Sequence, residues 1–109
     1  MPYVDIIIPI HSLSRPIERA VASVGEELMK SGEVRITVVC HGVNADSVAA
    51  RLPAHVRVLE LDDGIPSAAG PVNLGIAEAD APYVCRLDSD DFFEPGAVER
   101  WIAHARMHS

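Results

Sequence analysis

One stretch decides how the rest of this chain is interpreted: Tyr83-Val84-Cys85-Arg86-Leu87-Asp88-Ser89-Asp90-Asp91. In it, a short apolar run leads directly into three aspartates within four positions. Ligands of a doubly wound α/β sheet bind beyond the carboxyl ends of its strands. Carboxylates at such an end suit Mg²⁺ or Mn²⁺, because proteins hold these cations through one or two carboxylates together with substrate phosphates. The stretch therefore predicts a strand that ends in a metal and nucleotide site.

The chain before this stretch predicts the sheet to which that strand belongs. Its apolar runs are near-continuous, which indicates burial on both faces, as in a parallel sheet. The predicted strands are 3–10, 34–40, 56–61 and 83–87, and Pro9 is expected to close the first because it cannot donate to the ladder. Helices are predicted from a Ser14 N-cap to about Lys30, over 45–52, over 67–79 and from Glu94 onward. This alternation implies an α/β fold, a Rossmann-like doubly wound parallel sheet with right-handed crossovers.

Bulk properties narrow the classes of function. The length of 109 residues fits a single domain over 1–109. A formal net charge of −7, without a basic stripe interleaved with aromatics, disfavours nucleic-acid binding. The two cysteines, Cys40 and Cys85, lie in predicted strands and read as small buried hydrophobes. No C-x-x-C pair is present, so a structural zinc site is not expected.

The sequence also bears on location in the cell. No apolar run approaches the length of a membrane span. The N-terminus lacks the basic region and cleavage site of a signal peptide. The expectation is a cytoplasmic protein; a domain cut from a membrane-attached parent would have the same features.

Several of the candidate residues have a plainer interpretation. The aspartates of the opening stretch could form a solvated acidic turn that caps the following helix. His11 could contact a base or phosphate, or be an ordinary loop residue, whereas His41 is interpreted as a loop histidine. Asp63 reads as part of a turn before a glycine, and Trp101 as a packing residue. A Rossmann dehydrogenase is excluded because no G-x-G-x-x-G follows the first strand.

Three motifs along the chain carry a resemblance to a known family. The first is Val4-Asp5-Ile6-Ile7-Ile8-Pro9, the second is formed by Gly64, Ser67, Ala69, Asn73 and Gly75, and the third is Leu87-Asp88-Ser89-Asp90-Asp91 followed by Pro95 and Glu99. They resemble the opening strand, the middle G-x-S-x-A-x-x-x-N-x-G stretch and the D-x-D motif of the family 2 glycosyltransferases. These are inverting nucleotide-sugar enzymes with the GT-A fold. The resemblance covers nearly all of the chain.

The resemblance implies a fold, a ligand and a set of roles. The fold would be a partial GT-A sheet with strand order 3-2-1-4, and the donor a UDP- or GDP-sugar bound with Mg²⁺ or Mn²⁺. Asp90 would hold the metal, with Asp88 and Asp91 beside it, and Asp88 would also lie near the ribose or diphosphate. The remaining nucleotide-binding residues implied are Pro9, Ile10, His11, Gly42, Gly64 and Asn73.

Two positions depart from that family's pattern. The acidic D-D-G-S turn after the second strand, whose first acid contacts the base, is replaced here by Cys40-His41-Gly42-Val43. The arginine that commonly stands two positions before the asparagine of the middle stretch is replaced by Pro71, which removes one phosphate contact.

The family pattern also implies what this chain lacks. Family members are considerably longer, and their second half carries the acceptor site and the general base. The chain is therefore expected to be the donor-binding half, with the acceptor half absent and no transfer of sugar by itself. The alternative is a non-catalytic assembly or regulatory domain that kept the fold. In either case the fourth strand is expected to be an exposed edge, which predicts a homodimer across that edge or across the helix that carries Trp101.

Overall fold

The computed structural model of the chain describes residues 2–65, 67 and 69–107. The elements in order are β1 (Val4–Ile10), α1 (Ile17–Ala22), α2 (Glu26–Ser31), β2 (Val34–His41), α3 (Ala45–Ala49), β3 (Arg57–Leu61), α4 (Ala69–Ala77), β4 (Tyr83–Arg86) and α5 (Ala97–Met107). Within these residues, no helix is both long and apolar enough to span a bilayer. A cytoplasmic location stays a prediction.

The four strands form one parallel sheet in the order β3-β2-β1-β4. This confirms the predicted α/β class and the strand order 3-2-1-4. β1 pairs with β2 along its whole length and with β4 over Val4–Ile7. Six of the seven β1 residues are buried, as the continuous apolar run indicates.

Helices cover both faces of β1. Ile6 and Ile8 belong to a buried cluster that includes Ile17 of α1 and Ile102 of α5. Ile7 points to the opposite face, where α4 approaches it so closely that Gly75 has no room for a side chain. The sheet is therefore doubly wound.

Pro9 does not close β1, which continues to Ile10. The carbonyl of Ile7 accepts a hydrogen bond from Leu87 N at 3.0 Å, so the backbone groups of Ile7 face β4. By alternation, Pro9 faces the same side, beyond the last residue that β4 pairs. Its missing N–H therefore costs no ladder bond, and the strand can pass through it.

The single helix predicted up to Lys30 is two helices, α1 and α2. The chain breaks at Gly25, whose φ of 112° is outside the helical range. Val24 and Leu28 are both buried, so the apolar spacing continues across the break and hides it from the sequence pattern. Ser14 is not the N-cap of α1; that position is Pro16, which has no side-chain capping bond.

Candidate functional site

A cleft of about 410 Å³ opens where β1 and β4 end. It is lined by Pro9, Ile10, His11, Arg15, His41, Ser67, Pro71, Arg86, Asp88, Ser89 and Asp90. Five of these carry predicted roles: the three from the end of β1, and Asp88 and Asp90 after β4. The carboxyl edge of the sheet therefore brings together the first and third sequence motifs, and Ser67 of the second motif also lines the cleft.

The other predicted residues lie outside this cleft. Gly42 lines a separate, smaller cleft of about 280 Å³. Gly64, Asn73 and Asp91 are exposed and line neither. Part of the segment between Gly64 and Asn73 falls outside the described residues. All the residue roles implied by the resemblance stay predictions.

Asp90 is held by two arginines from the segment after β1. Arg15 Nη1 donates to Asp90 Oδ2 at 2.6 Å, and Arg19 Nη2 donates to the backbone carbonyl of Asp90 at 2.9 Å. The side chain of Asp90 is 54% exposed and that of Arg15 is 32% exposed. The arginine that pairs with the carboxylate is therefore at the surface of the cleft.

Asp88 is paired in the same way with Arg86, the last residue of β4. Arg86 Nε and Nη2 lie 3.1 and 3.0 Å from Asp88 Oδ1. Asp88 also accepts a hydrogen bond from Asp91 N through its backbone carbonyl, at 3.0 Å. The helix that follows starts only at Ala97, so the aspartates form a turn of their own and do not cap it.

The chemistry of these side chains fits a hard divalent cation. In the part of the chain that the structure describes, no group of three or more His, Cys, Asp and Glu could hold a metal ion by itself. Two carboxylates, Asp88 and Asp90, nevertheless line one cleft. One or two carboxylates are what Mg²⁺ usually takes from a protein when substrate phosphates complete its shell.

His41 and Asp63 form a pair that the sequence did not predict. His41 Nε2 lies 2.7 Å from Asp63 Oδ1, and the His41 side chain is only 10% exposed. The hydrogen bond with the His41 ring, assisted by the backbone N–H of Ile65, holds the pKa of the Asp63 carboxyl below its usual value. Their positions could have indicated this pair, because His41 ends β2, Asp63 follows β3, and these two strands are neighbours.

The two arginines of the cleft were also missed. Arg15 and Asp90 are 75 positions apart, so no local pattern connects them. Arg86 stands in a run interpreted as apolar, yet it lies at the strand end and its side chain is 49% exposed. Position at the carboxyl edge was again the signal that could have identified it.

Comparisons with known proteins agree with the fold and with the family resemblance. The family model "Glycosyl transferase family 2" matches residues 5–108. The poly(ribitol-phosphate) beta-N-acetylglucosaminyltransferase TarP of Staphylococcus aureus (strain N315) is 28% identical over 103 residues, covering 91% of this chain and 32% of TarP. Chondroitin synthase of Escherichia coli is 33% identical over 106 residues, covering 91% of this chain and 15% of that protein.

A solved structure shows the same fold. The crystal structure of S. aureus TarS superposes with a TM-score of 0.82 at 18% identity, covering 99% of this chain and 33% of the TarS chain. The chain thus spans about a third or less of the length of these relatives. Because the family model matches nearly all of it, the chain belongs to glycosyl transferase family 2.

Proposed function

We propose that this chain binds a nucleotide-sugar donor, a UDP- or GDP-sugar, together with Mg²⁺ or Mn²⁺ in the cleft at the ends of β1 and β4. The observation that carries the proposal is that Asp88 and Asp90 line the same cleft as Pro9, Ile10 and His11. The first two supply oxygen ligands for a cation, and the others supply an apolar wall and a ring against which a base can lie. The names of the relatives TarP and chondroitin synthase are those of sugar-polymer enzymes, which supports a sugar donor.

Different residues of the cleft would hold the cation and keep the acidic turn in place. Asp90 and Asp88 would hold the cation, with Asp91 next in sequence supporting the turn. Arg19 fixes the backbone of this turn by its bond to the Asp90 carbonyl, and Ser89 of the same turn is buried. In the inverting reaction of a complete transferase, a cation held by these residues would supply Lewis-acid stabilisation to the departing diphosphate. The general base belongs to the acceptor part, which we place outside this chain.

Calorimetric titration of UDP and GDP, each with and without Mn²⁺, tests the proposal. We expect one nucleotide to bind only with Mn²⁺. Asp90→Asn should weaken that binding by roughly tenfold or more, since loss of a residue that merely supports a metal ligand already costs roughly 10–100-fold in metal affinity. Asp46→Asn, at an exposed position of α3, is the matched control and should bind as the wild type does. Equal binding by Asp90→Asn and wild type would remove the metal role from Asp90.

The second candidate is a non-catalytic domain that keeps the fold for assembly or regulation. It is favoured by the end of β2, where His41 pairs with Asp63, and by the arginine that pairs with each carboxylate of the cleft. Wild-type protein that binds neither nucleotide, with or without Mn²⁺, would support this candidate over the first.

A further inference from the structure

The negative charges of the cleft are balanced by positive charges of the same cleft. The two arginines that line the cleft pair with the two aspartates that line it, Arg15 with Asp90 and Arg86 with Asp88. Each predicted metal ligand is therefore already neutralised by a cation of the protein. A metal ion that enters alone must displace arginine, and a diphosphate that enters alone must approach two carboxylates.

The surroundings of both arginines allow their side chains to exchange a carboxylate for a phosphate. The backbone of Arg15 is held in place, because Arg51 Nη2 donates to the Arg15 carbonyl at 2.8 Å and Arg51 Nη1 donates to the Leu13 carbonyl at 2.9 Å. Its side chain, like that of Arg86, is partly exposed and forms an ion pair at the surface, which is a weak interaction. The other side-chain contact of Arg15, Nη2 with His11 Nε2, is long at 3.4 Å. Guanidinium groups bind phosphate in the same bidentate way as carboxylate.

We propose that Arg15 and Arg86 are the diphosphate-binding residues of this cleft, and that they leave Asp90 and Asp88 for the phosphates when metal and nucleotide enter together. The inference rests on the proposed function and assigns residues that function does not name. The composition of the cleft supports this assignment. Pro71 also lines the cleft, and it carries no charge with which to bind a phosphate. The exchange makes the two ligands cooperative: each arginine that leaves opens a carboxylate for the metal, and each phosphate stabilises the arginine that has left.

The test measures Mn²⁺ binding without nucleotide, by the electron paramagnetic resonance signal of free Mn²⁺, and UDP or GDP binding at saturating Mn²⁺. For Arg15→Gln we expect opposite shifts. Mn²⁺ alone binds roughly two- to fivefold more tightly, the range set by loss of a surface ion pair. The nucleotide binds roughly tenfold more weakly, because a charge-assisted bond to phosphate is lost. Arg86→Gln should show the same pair of opposite shifts.

Arg100→Gln is the matched control, because Arg100 lies on α5, donates to the Pro95 carbonyl just before that helix and does not line the cleft. It removes the same charge and should move neither affinity. By reciprocity, the factor by which Mn²⁺ raises nucleotide affinity equals the factor by which the nucleotide raises Mn²⁺ affinity, and both should fall in Arg15→Gln.

The outcomes separate this inference from the proposed function. A wild type that binds nucleotide with Mn²⁺, with Arg15→Gln and Arg86→Gln leaving Mn²⁺ affinity unchanged or lower, overturns the arginine exchange and leaves the proposed function standing. An unchanged nucleotide affinity in both variants overturns it equally. A wild type that binds no nucleotide at all overturns both.

Discussion

Gly75 shows at the scale of one residue why a motif glycine is needed. A Cβ atom built there would lie 2.5 Å from Ile7 Cγ2 and 3.0 Å from Ile7 Cδ1. The branched side chain of Ile7 is buried in the central strand and cannot move aside. The residue that ends the sequence's middle motif therefore sets how closely α4 approaches β1.

Gly75→Ala is expected to lower the free energy of unfolding by up to about 2 kcal/mol. Alanine in a helix gains about 1 kcal/mol over glycine, but overpacking a core costs about 1–3 kcal/mol and wins at this distance. Urea denaturation measures the difference. Gly70→Ala in the same helix is the control, because its nearest neighbour is the flexible end of Leu61, Cδ2 at 3.1 Å. If both variants were equally stable, the contact with Ile7 would not be the reason for glycine.

Cys40 gives a pH dependence that can be measured. Burial, together with the charge of Glu60, raises the pKa of the Cys40 thiol from 9.0 to about 11. Between these two values the unfolded chain has lost the thiol proton while the folded chain keeps it, so folding stability falls as the pH rises. We expect the wild type to lose stability relative to Cys40→Ala from about pH 9 to about pH 11. A stability difference that stays constant across this range would contradict the raised pKa.

At the scale of elements, Asn44 explains why the short α3 begins where it does. Its Oδ1 accepts a hydrogen bond from Ser47 N at 2.8 Å, which satisfies one of the unpaired N–H groups of the first turn. Asn44→Ala is expected to cost about 0.5–2 kcal/mol of unfolding free energy, as loss of an N-cap does. Asn44→Asp, which keeps the acceptor, should stay close to the wild type. Thermal unfolding compares the three, and an alanine variant as stable as the aspartate one would argue against the cap.

The strands were predictable from the sequence to within one or two residues, because a buried parallel strand is a continuous apolar run. The helix boundaries were less so. The apolar spacing across Gly25 is the same whether the helix continues or breaks, and the break depends on a backbone angle that spacing does not encode. Ser23 adds a long-range reason, since its Oγ accepts a hydrogen bond from Phe93 N at 2.9 Å, which lies far along the chain.

At the scale of the whole molecule, the position of the site could be predicted from the sheet topology. The ion pairs between its side chains could not all be predicted. The cleft follows from placing strand ends at one edge of the sheet. The Arg15–Asp90 ion pair does not, because 75 positions separate its two residues and no local pattern connects them. Asp5 shows the same limit in the core: it is fully buried in an apolar run, and its partner Arg35 at 2.7 Å is 30 positions away.

The edge of the sheet leads to the prediction of self-association. β4 has a neighbour on one side only in the described sheet. The N–H groups of Tyr83 and Leu87 point to β1, so by alternation the backbone groups of Val84 and Arg86 point outward. Val84 is 40% exposed and Trp101 of α5 is 41% exposed, which adds apolar surface near this edge. An unpaired apolar edge recruits another strand, and a second copy can pair antiparallel through a two-fold axis.

We therefore expect this chain to form a homodimer as its concentration rises, measured by light scattering after size exclusion. Val84→Lys should shift it to monomer, because a lysine on an edge strand opposes pairing. Ile76→Lys is the matched control, since Ile76 is 49% exposed but lies on α4, away from β4. A wild type that stays monomeric at high concentration would contradict the dimer. If Val84→Lys and Ile76→Lys dissociated the dimer equally, pairing at the β4 edge would not be supported. The loss of any exposed apolar side chain would then explain the dissociation as well as the loss of strand pairing does.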